Sequence, residues 1–115
     1  RTTSSAASDV YKRQGLDGIY IGPADLCLAI GQKPSFDKPE GDPVYEVIMK
    51  ILDHAKKNKI IAGIQNGQPE YAEKMIKKGF QLVTIGSDQR YMTAASKLAL
   101  SKLKKDKVKD SGKGY

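Results

Sequence analysis

Hydrophobic positions along the chain follow two patterns, which together predict three strands that are each followed by a helix. Runs of consecutive apolar residues, typical of strands covered on both faces, lie at about 18–22, 60–64 and 81–86. After each run, apolar residues recur at spacings of three and four, which is typical of amphipathic helices. Strands that alternate with helices form parallel sheets, so the pattern predicts an α/β fold.

The first two helices have clear start and stop signals. Asp42 and Pro43 supply a capping acid and a first-turn proline, and that helix runs to about residue 58. Pro69 begins the second helix, and Gly79 is suited to end it in a left-handed conformation. Between the first strand and the first helix, a stretch rich in glycine and proline predicts a long polar loop.

A turn of small polar residues leads from the third strand into the last helix. Ser87 or Asp88 is suited to cap this helix, which extends to about Leu103. The amides of the Gly86–Ser87–Asp88 turn could also donate hydrogen bonds to an anion, as amides at helix N-termini do. Capping explains these residues without any ligand and is the simpler interpretation.

A carboxylate follows the first predicted strand. The strand ends at Gly22–Pro23, because proline supplies no donor to a strand ladder, and Asp25 comes two residues later. Ligands of parallel α/β folds bind at the carboxyl ends of the strands, which makes Asp25 a candidate functional residue. Taken alone, the local pattern favours the other interpretation, in which Asp25 caps the turn after the strand.

Three segments of the chain resemble the metal-dependent pyruvate aldolases of the HpcH/HpaI aldolase and citrate lyase superfamily. The matching segments are 17–26, 62–64 and 79–88, and the resemblance covers about 15–103. It implies a truncated α/β fold that consists of the C-terminal three βα units of a TIM (β/α)8 barrel. The whole barrel needs roughly 200 or more residues, and this chain has 115.

The resemblance also implies an activity and a cofactor. The expected enzyme is a carbon–carbon lyase of the class II aldolase type, which reversibly cleaves a 4-hydroxy-2-oxo acid to pyruvate and an aldehyde. With the motif present, Asp25 matches a metal-binding carboxylate for a divalent cation, Mg²⁺ or Mn²⁺, since hard cations prefer oxygen ligands. The parent protein is expected to be a homo-oligomer.

Substrate-binding residues follow from the same resemblance. The backbone amides around Ala24 and Asp25 would bind the carboxylate of pyruvate, and Gly22 would let a small ligand approach the backbone. Gly22 is equally well explained as a strand terminator. Gln65, at the end of the second strand, is a candidate contact for the aldehyde, although a polar residue in a loop needs no such role.

No catalytic residue is assigned within this chain. The remaining family residues, a metal-binding glutamate, a catalytic histidine with its aspartate partner, and an arginine, would precede Gly15. His54 lies near the end of a helix beside two lysines and is predicted to be a surface residue. Cys27 has no nearby base to activate it and is predicted to pack in the core. We therefore expect the isolated chain to bind metal weakly and to turn over poorly.

Two other functions remain open. A related lyase of the same superfamily would cleave a coenzyme A thioester, as the citrate lyase β subunits do. A non-catalytic α/β module would instead bind an anion at Gly86–Ser87. The second alternative predicts a cooperative monomeric fold, whereas a barrel fragment predicts marginal stability or self-association through exposed strand edges.

Charge and composition argue against nucleic-acid and membrane functions. The net charge of +7 is confined to the ends, with +2 in residues 1–14 and +5 in 97–115, so 15–96 is neutral overall.

Residues 1–14 resemble translated adapter sequence and are predicted to be a disordered leader, and 106–115 a basic disordered tail, which leaves 15–105 as the folded part. No apolar run could span a membrane. A single cysteine fits a reducing cytoplasm.

Overall fold

The computed structural model describes residues 15–103, and within them it contains three strands and four helices. In chain order the elements are β1 (Gly18–Ile21), α1 (Pro23–Ala29), α2 (Pro43–Lys57), β2 (Ile61–Asn66), α3 (Pro69–Lys78), β3 (Leu82–Ile85) and α4 (Asp88–Leu103). The three predicted strands and the three predicted helices are confirmed. The predicted leader and the predicted tail lie outside the described residues.

The strands form one parallel sheet in the order β1, β2, β3, with β2 in the centre. Ile21 of β1 lies opposite Ile64 of β2, and Ile64 lies opposite Val83 of β3. Because the strands are parallel, their carboxyl ends meet at one edge of the sheet. Residues that follow these ends are therefore brought together even though they are far apart in sequence.

A short helix, α1, replaces the first part of the predicted loop. Gly22 is its N-cap, Pro23 stands in its first turn, and Cys27 is buried on its inner side. Sequence reasoning took Pro23 only as the residue that ends a strand, but proline is equally suited to the first turn of a helix. The expectation of a continuous loop from the end of β1 was wrong for residues 23–29. Cys27 packs in the core as predicted.

The core lies between one face of the sheet and α2. Ala62 and Ile64 of β2 are buried together with Val44, Ile48 and Leu52 of α2. Side chains alternate between the two faces of a strand, so Ile61, Gly63 and Gln65 lie on the face opposite α2. Ile61 is 49% exposed on that face, whereas Ile64 is completely buried.

The loop between α1 and α2 is held against the end of β2. The backbone amide of Gly67 donates to Oδ1 of Asp37 at 2.8 Å, and the hydroxyl of Tyr71 donates to the carbonyl of Lys38 at 2.7 Å. Burial is the largest effect that raises the pKa of Tyr71 to about 12, with smaller contributions from Tyr45 and Asp37. The Tyr71 phenol is therefore protonated, and available as this donor, throughout the neutral range.

The predicted helix ends are also confirmed. The Asp42 side chain accepts a hydrogen bond from the amide of Val44 at 2.8 Å, so it caps α2. Gly79 ends α3 with a φ of 113°, in the left-handed region that favours glycine.

The chain divides into two compact units, one ending at Ile85 and the other beginning at Gly86. In the second unit, the amide of Arg90 donates to Oγ of Ser87 at 3.3 Å, so Ser87 caps the first turn of α4 as predicted. None of the helices among residues 15–103 combines the length and the apolar character that a membrane span requires.

Candidate functional site

Asp25 lies at the carboxyl edge of the sheet, in the first turn of α1. Its side chain is exposed, and no side chain forms a capping hydrogen bond at the start of this helix. The structure therefore gives no support to the interpretation of Asp25 as a cap. The first amides of a helix have no intrahelical acceptor, so those of Ala24 and Asp25 are suited to bind an anion at the same edge.

Gly22 leaves space that the Asp25 carboxylate occupies. A Cβ atom built on Gly22 would lie 2.9 Å from Oδ2 of Asp25, closer than real Cβ contacts allow. The backbone of Gly22, with φ −99° and ψ 98°, is open to any L-residue. Glycine is therefore needed here for the position of the carboxylate and not for the conformation of the chain.

We expect the substitution Gly22→Ala to move the Asp25 carboxylate while leaving the fold intact. The atom in the way is the end of a flexible side chain, which can rotate at little cost to the free energy of unfolding. If the Asp25 carboxylate is a metal ligand, this displacement should weaken the affinity of the complete protein for a divalent metal by about 10- to 100-fold. Titration of Mn²⁺ followed by electron paramagnetic resonance, together with thermal unfolding, tests both halves of this expectation.

The reverse pattern would contradict the role of Gly22. If Gly22→Ala lowered stability and left metal affinity unchanged, the glycine would serve the backbone alone. Gly79→Ala is a suitable comparison, because it forces an L-residue into the left-handed region at a φ of 113°. It should cost about 1–2 kcal/mol of stability without changing metal affinity.

Gln65 stands one residue before the end of β2, on the face of the sheet opposite α2. Its partner across the strands is Thr84 of β3. Tyr20 of β1 contributes to the same face, and its hydroxyl forms a hydrogen bond with Oγ1 of Thr84 at 2.5 Å. The structure thus adds Tyr20 and Thr84 to the surroundings of Gln65.

Sequence reasoning missed Tyr20 and Thr84 because both lie inside runs that were interpreted only as strands. A signal was present in the period-two positions on the face opposite the core. There Tyr20 and Thr84 carry hydroxyl groups beside Gly63, whose missing side chain leaves the space that the Tyr20 ring fills.

Asn66 is a third polar residue that sequence reasoning passed over. Its side chain is completely buried, and its Nδ2 donates to the carbonyls of Ile64 and Thr84 at 3.3 and 3.1 Å. Within the described part of the chain, its Oδ1 has no hydrogen-bond partner. Asn66, the last residue of β2, therefore links β2 to β3 at the carboxyl edge of the sheet.

The donor set fits a divalent cation only in part. Asp25 supplies one carboxylate of the kind that Mg²⁺ and Mn²⁺ prefer. Among residues 15–103, no group of three or more His, Cys, Asp or Glu side chains is close enough to hold a metal ion. His54 lies in the last turn of α2, which leads toward the amino end of β2, so it is at the opposite edge from Asp25.

Comparisons with known proteins give one consistent result. The family model described as HpcH/HpaI aldolase/citrate lyase matches residues 5–95. A hydroxypyruvate/pyruvate aldolase from Rhizorhabdus wittichii is 29% identical over 93 residues, which are 81% of this chain and 37% of that protein. A 2-keto-3-deoxy-L-rhamnonate aldolase from Klebsiella pneumoniae is 29% identical over 98% of this chain and 41% of its own length. The chain thus spans less than half of these relatives.

Solved structures give the same picture for the fold. An HpcH/HpaI aldolase/citrate lyase family protein from Burkholderia cenocepacia superposes with a TM-score of 0.74 at 22% identity, over 87% of this chain and 38% of that one. This likeness confirms the predicted fold class, a parallel α/β arrangement that forms part of a barrel. In such barrels, the carboxyl edge of the strands is the face that carries active sites.

Proposed function

The chain belongs to the HpcH/HpaI aldolase/citrate lyase family, and from that membership we propose that its parent protein reversibly cleaves a 4-hydroxy-2-oxo acid to pyruvate and an aldehyde. The single observation that carries this proposal is the exposed Asp25 carboxylate at the carboxyl edge of the sheet, beside a glycine whose missing side chain makes room for it. The names of the two aldolase relatives support a carbon–carbon lyase that handles pyruvate.

Each proposed role follows from the position of a residue at this edge. Asp25 would be one of the ligands that hold a divalent cation, Mg²⁺ or Mn²⁺. When bound, such a cation would polarise the keto oxygen of a 2-oxo acid and so make it easier to cleave the bond between the carbon next to the keto group and the hydroxyl-bearing carbon. The amides of Ala24 and Asp25 bind the carboxylate of pyruvate, and Gly22 contributes by leaving the space that the Asp25 side chain occupies. Gln65 contacts the aldehyde.

Residues 15–103 do not complete this site in our proposal. Retro-aldol cleavage needs a base to take the proton of the 4-hydroxyl group. The one histidine of the chain, His54, lies at the opposite edge of the sheet from Asp25. Proton transfer is therefore assigned to residues other than those described, and the isolated 115-residue chain should be nearly inactive.

Exchange of the methyl protons of pyruvate in D₂O tests the proposal without requiring the correct aldehyde. The natural-length protein, meaning the complete product of its gene, should catalyse exchange with Mn²⁺ or Mg²⁺ and lose it with a chelator. The 115-residue chain should show no exchange above buffer with metal. Exchange by the isolated chain would overturn the assignment of an incomplete site. A natural-length protein that neither exchanges these protons nor cleaves any 4-hydroxy-2-oxo acid would overturn the function itself.

One alternative follows from the family description, which includes citrate lyase. In that case the substrate is a coenzyme A thioester, and parallel assays with the free acid and the thioester separate the two. The anion-binding module is less well supported, because the Gly86–Ser87–Asp88 turn already has the simpler role of capping α4, in which the amide of Arg90 donates to Oγ of Ser87.

A further inference from the structure

On the face of the sheet opposite α2, a side-chain hydrogen bond joins the two outer strands, β1 and β3. The ring of Tyr20 lies across Gly63 of the central strand, where a Cβ atom would be only 2.8 Å from Cδ2 of the ring. Beyond the glycine, the Tyr20 hydroxyl bonds to Oγ1 of Thr84 at 2.5 Å. The absence of a side chain at Gly63 is thus what allows β1 to reach β3 above β2.

Gln65 completes a set of three polar side chains on this face. Thr84 lies opposite Gln65 in the strand register, and Gln65 is two residues beyond Gly63 on the same face. We call Tyr20, Gln65 and Thr84 the polar layer. It stands next to the carboxyl edge, where Gly22 and Asp25 lie, whereas the positions nearer the amino edge on this face include the exposed apolar Ile61 and Leu82.

The chemistry of the polar layer suits a neutral hydroxylated ligand. In a bond between two hydroxyl groups one proton is used, so the pair keeps a second O–H donor and free lone pairs, and the Gln65 amide adds both kinds of group. No charged residue occupies this face within the three strands, whose positions there are Gly18, Tyr20, Ile61, Gly63, Gln65, Leu82 and Thr84.

We propose that the Tyr20–Thr84 pair is a specificity-determining element that binds the hydroxyl group of the aldehyde partner. This inference rests on the proposed function, which brings the aldehyde to this edge beside Gln65. Uncharged hydroxyaldehydes are then preferred to alkyl aldehydes of the same size, which cannot use the remaining donor and lone pairs of the two hydroxyls.

Glycolaldehyde and propanal provide the sharpest comparison, because they differ only in a hydroxyl group in place of a methyl group. The natural-length protein is assayed for aldol addition of pyruvate to each, and the selectivity is the ratio of the two kcat/KM values. Tyr20→Phe and Thr84→Val should each lower this ratio by about three- to tenfold, the effect of losing one hydrogen bond.

Tyr45→Phe is the matched control. It also removes a phenolic hydroxyl group, but Tyr45 lies on α2 and is buried in the core. Its hydroxyl donates a hydrogen bond to Glu40 at 3.2 Å. The ratio should stay unchanged in this variant. Thermal unfolding of all three variants shows whether the Tyr20–Thr84 hydrogen bond is only structural. In that case Tyr20→Phe and Thr84→Val would lower the stability and leave the kcat/KM ratio unchanged.

The outcomes separate this inference from the function on which it rests. If pyruvate proton exchange and aldol addition persist but Tyr20→Phe and Thr84→Val leave the ratio unchanged, the Tyr20–Thr84 pair does not determine specificity and the inference is overturned alone. If neither exchange nor addition occurs in the unmodified protein, the proposed function fails and the inference falls with it. A reduced ratio in both variants, with Tyr45→Phe unchanged, supports it.

Discussion

Replacing Asp25 by Asn should lower the metal-dependent turnover of the natural-length protein by at least about a hundredfold. Loss of residues that merely support metal ligands costs about 10- to 100-fold, and loss of a ligand itself should cost no less. Asparagine keeps the shape of the side chain but removes the negative charge that a hard cation prefers. Methyl-proton exchange of pyruvate at increasing Mn²⁺ concentration measures the effect, and part of the lost rate should return at high metal concentration.

Asp17→Asn is the matched control for this experiment. Asp17 is also exposed, but it precedes β1, and its backbone carbonyl accepts a hydrogen bond from the amide of Ile61 at the amino end of β2. The substitution leaves that backbone bond in place and lies at the opposite edge from Asp25. We expect its turnover and metal dependence to match those of the unmodified protein. Equal losses in the two variants would show a general effect of charge and contradict a metal-binding role for Asp25.

Replacing Ile64 by Ala should lower the free energy of unfolding of the natural-length protein by about 2–5 kcal/mol. Ile64 is completely buried at the centre of the sheet, between Ile21 and Val83 of the neighbouring strands. It packs against α2, so truncation removes buried apolar surface and leaves a cavity that the surrounding strands cannot close. Denaturant unfolding followed by circular dichroism measures the loss.

Ile76→Ala is the matched control, because it makes the same chemical change at an exposed position. Ile76 lies on α3 and is 56% exposed, so little of its surface is lost from the core. Its substitution should change the free energy of unfolding by less than about 1 kcal/mol. A loss at Ile76 as large as that at Ile64 would show that the core does not lie between the sheet and the helices as described.

Much of the fold was predictable because its signals are local. Buried parallel strands appear in a sequence as short apolar runs, and helix ends appear as particular residues. Asp42 caps α2 and Gly79 ends α3 through contacts within a few residues, which is why the sequence was sufficient for both. The position of Asp25 after a strand was predictable for the same reason.

The missing parts of the prediction depend on alternatives that local sequence does not distinguish. Pro23 is compatible both with the end of a strand and with the first turn of a helix, and the packing of Cys27 into the core selects the helix. Asn66 had no feature that separated it from an ordinary residue at the end of a strand. Its burial results from β3 and from the loop that Asp37 holds against the neighbouring Gly67.

The sequence by itself determined the alternation of strands and helices, their capping residues and the placement of a carboxylate at the end of the first strand. It did so because these features rest on periodicity and on contacts between near neighbours. Only the tertiary structure decided that Tyr20 crosses Gly63 to meet Thr84, which is 64 positions away in the chain. Strand register sets such contacts, and register arises when separate segments pack together.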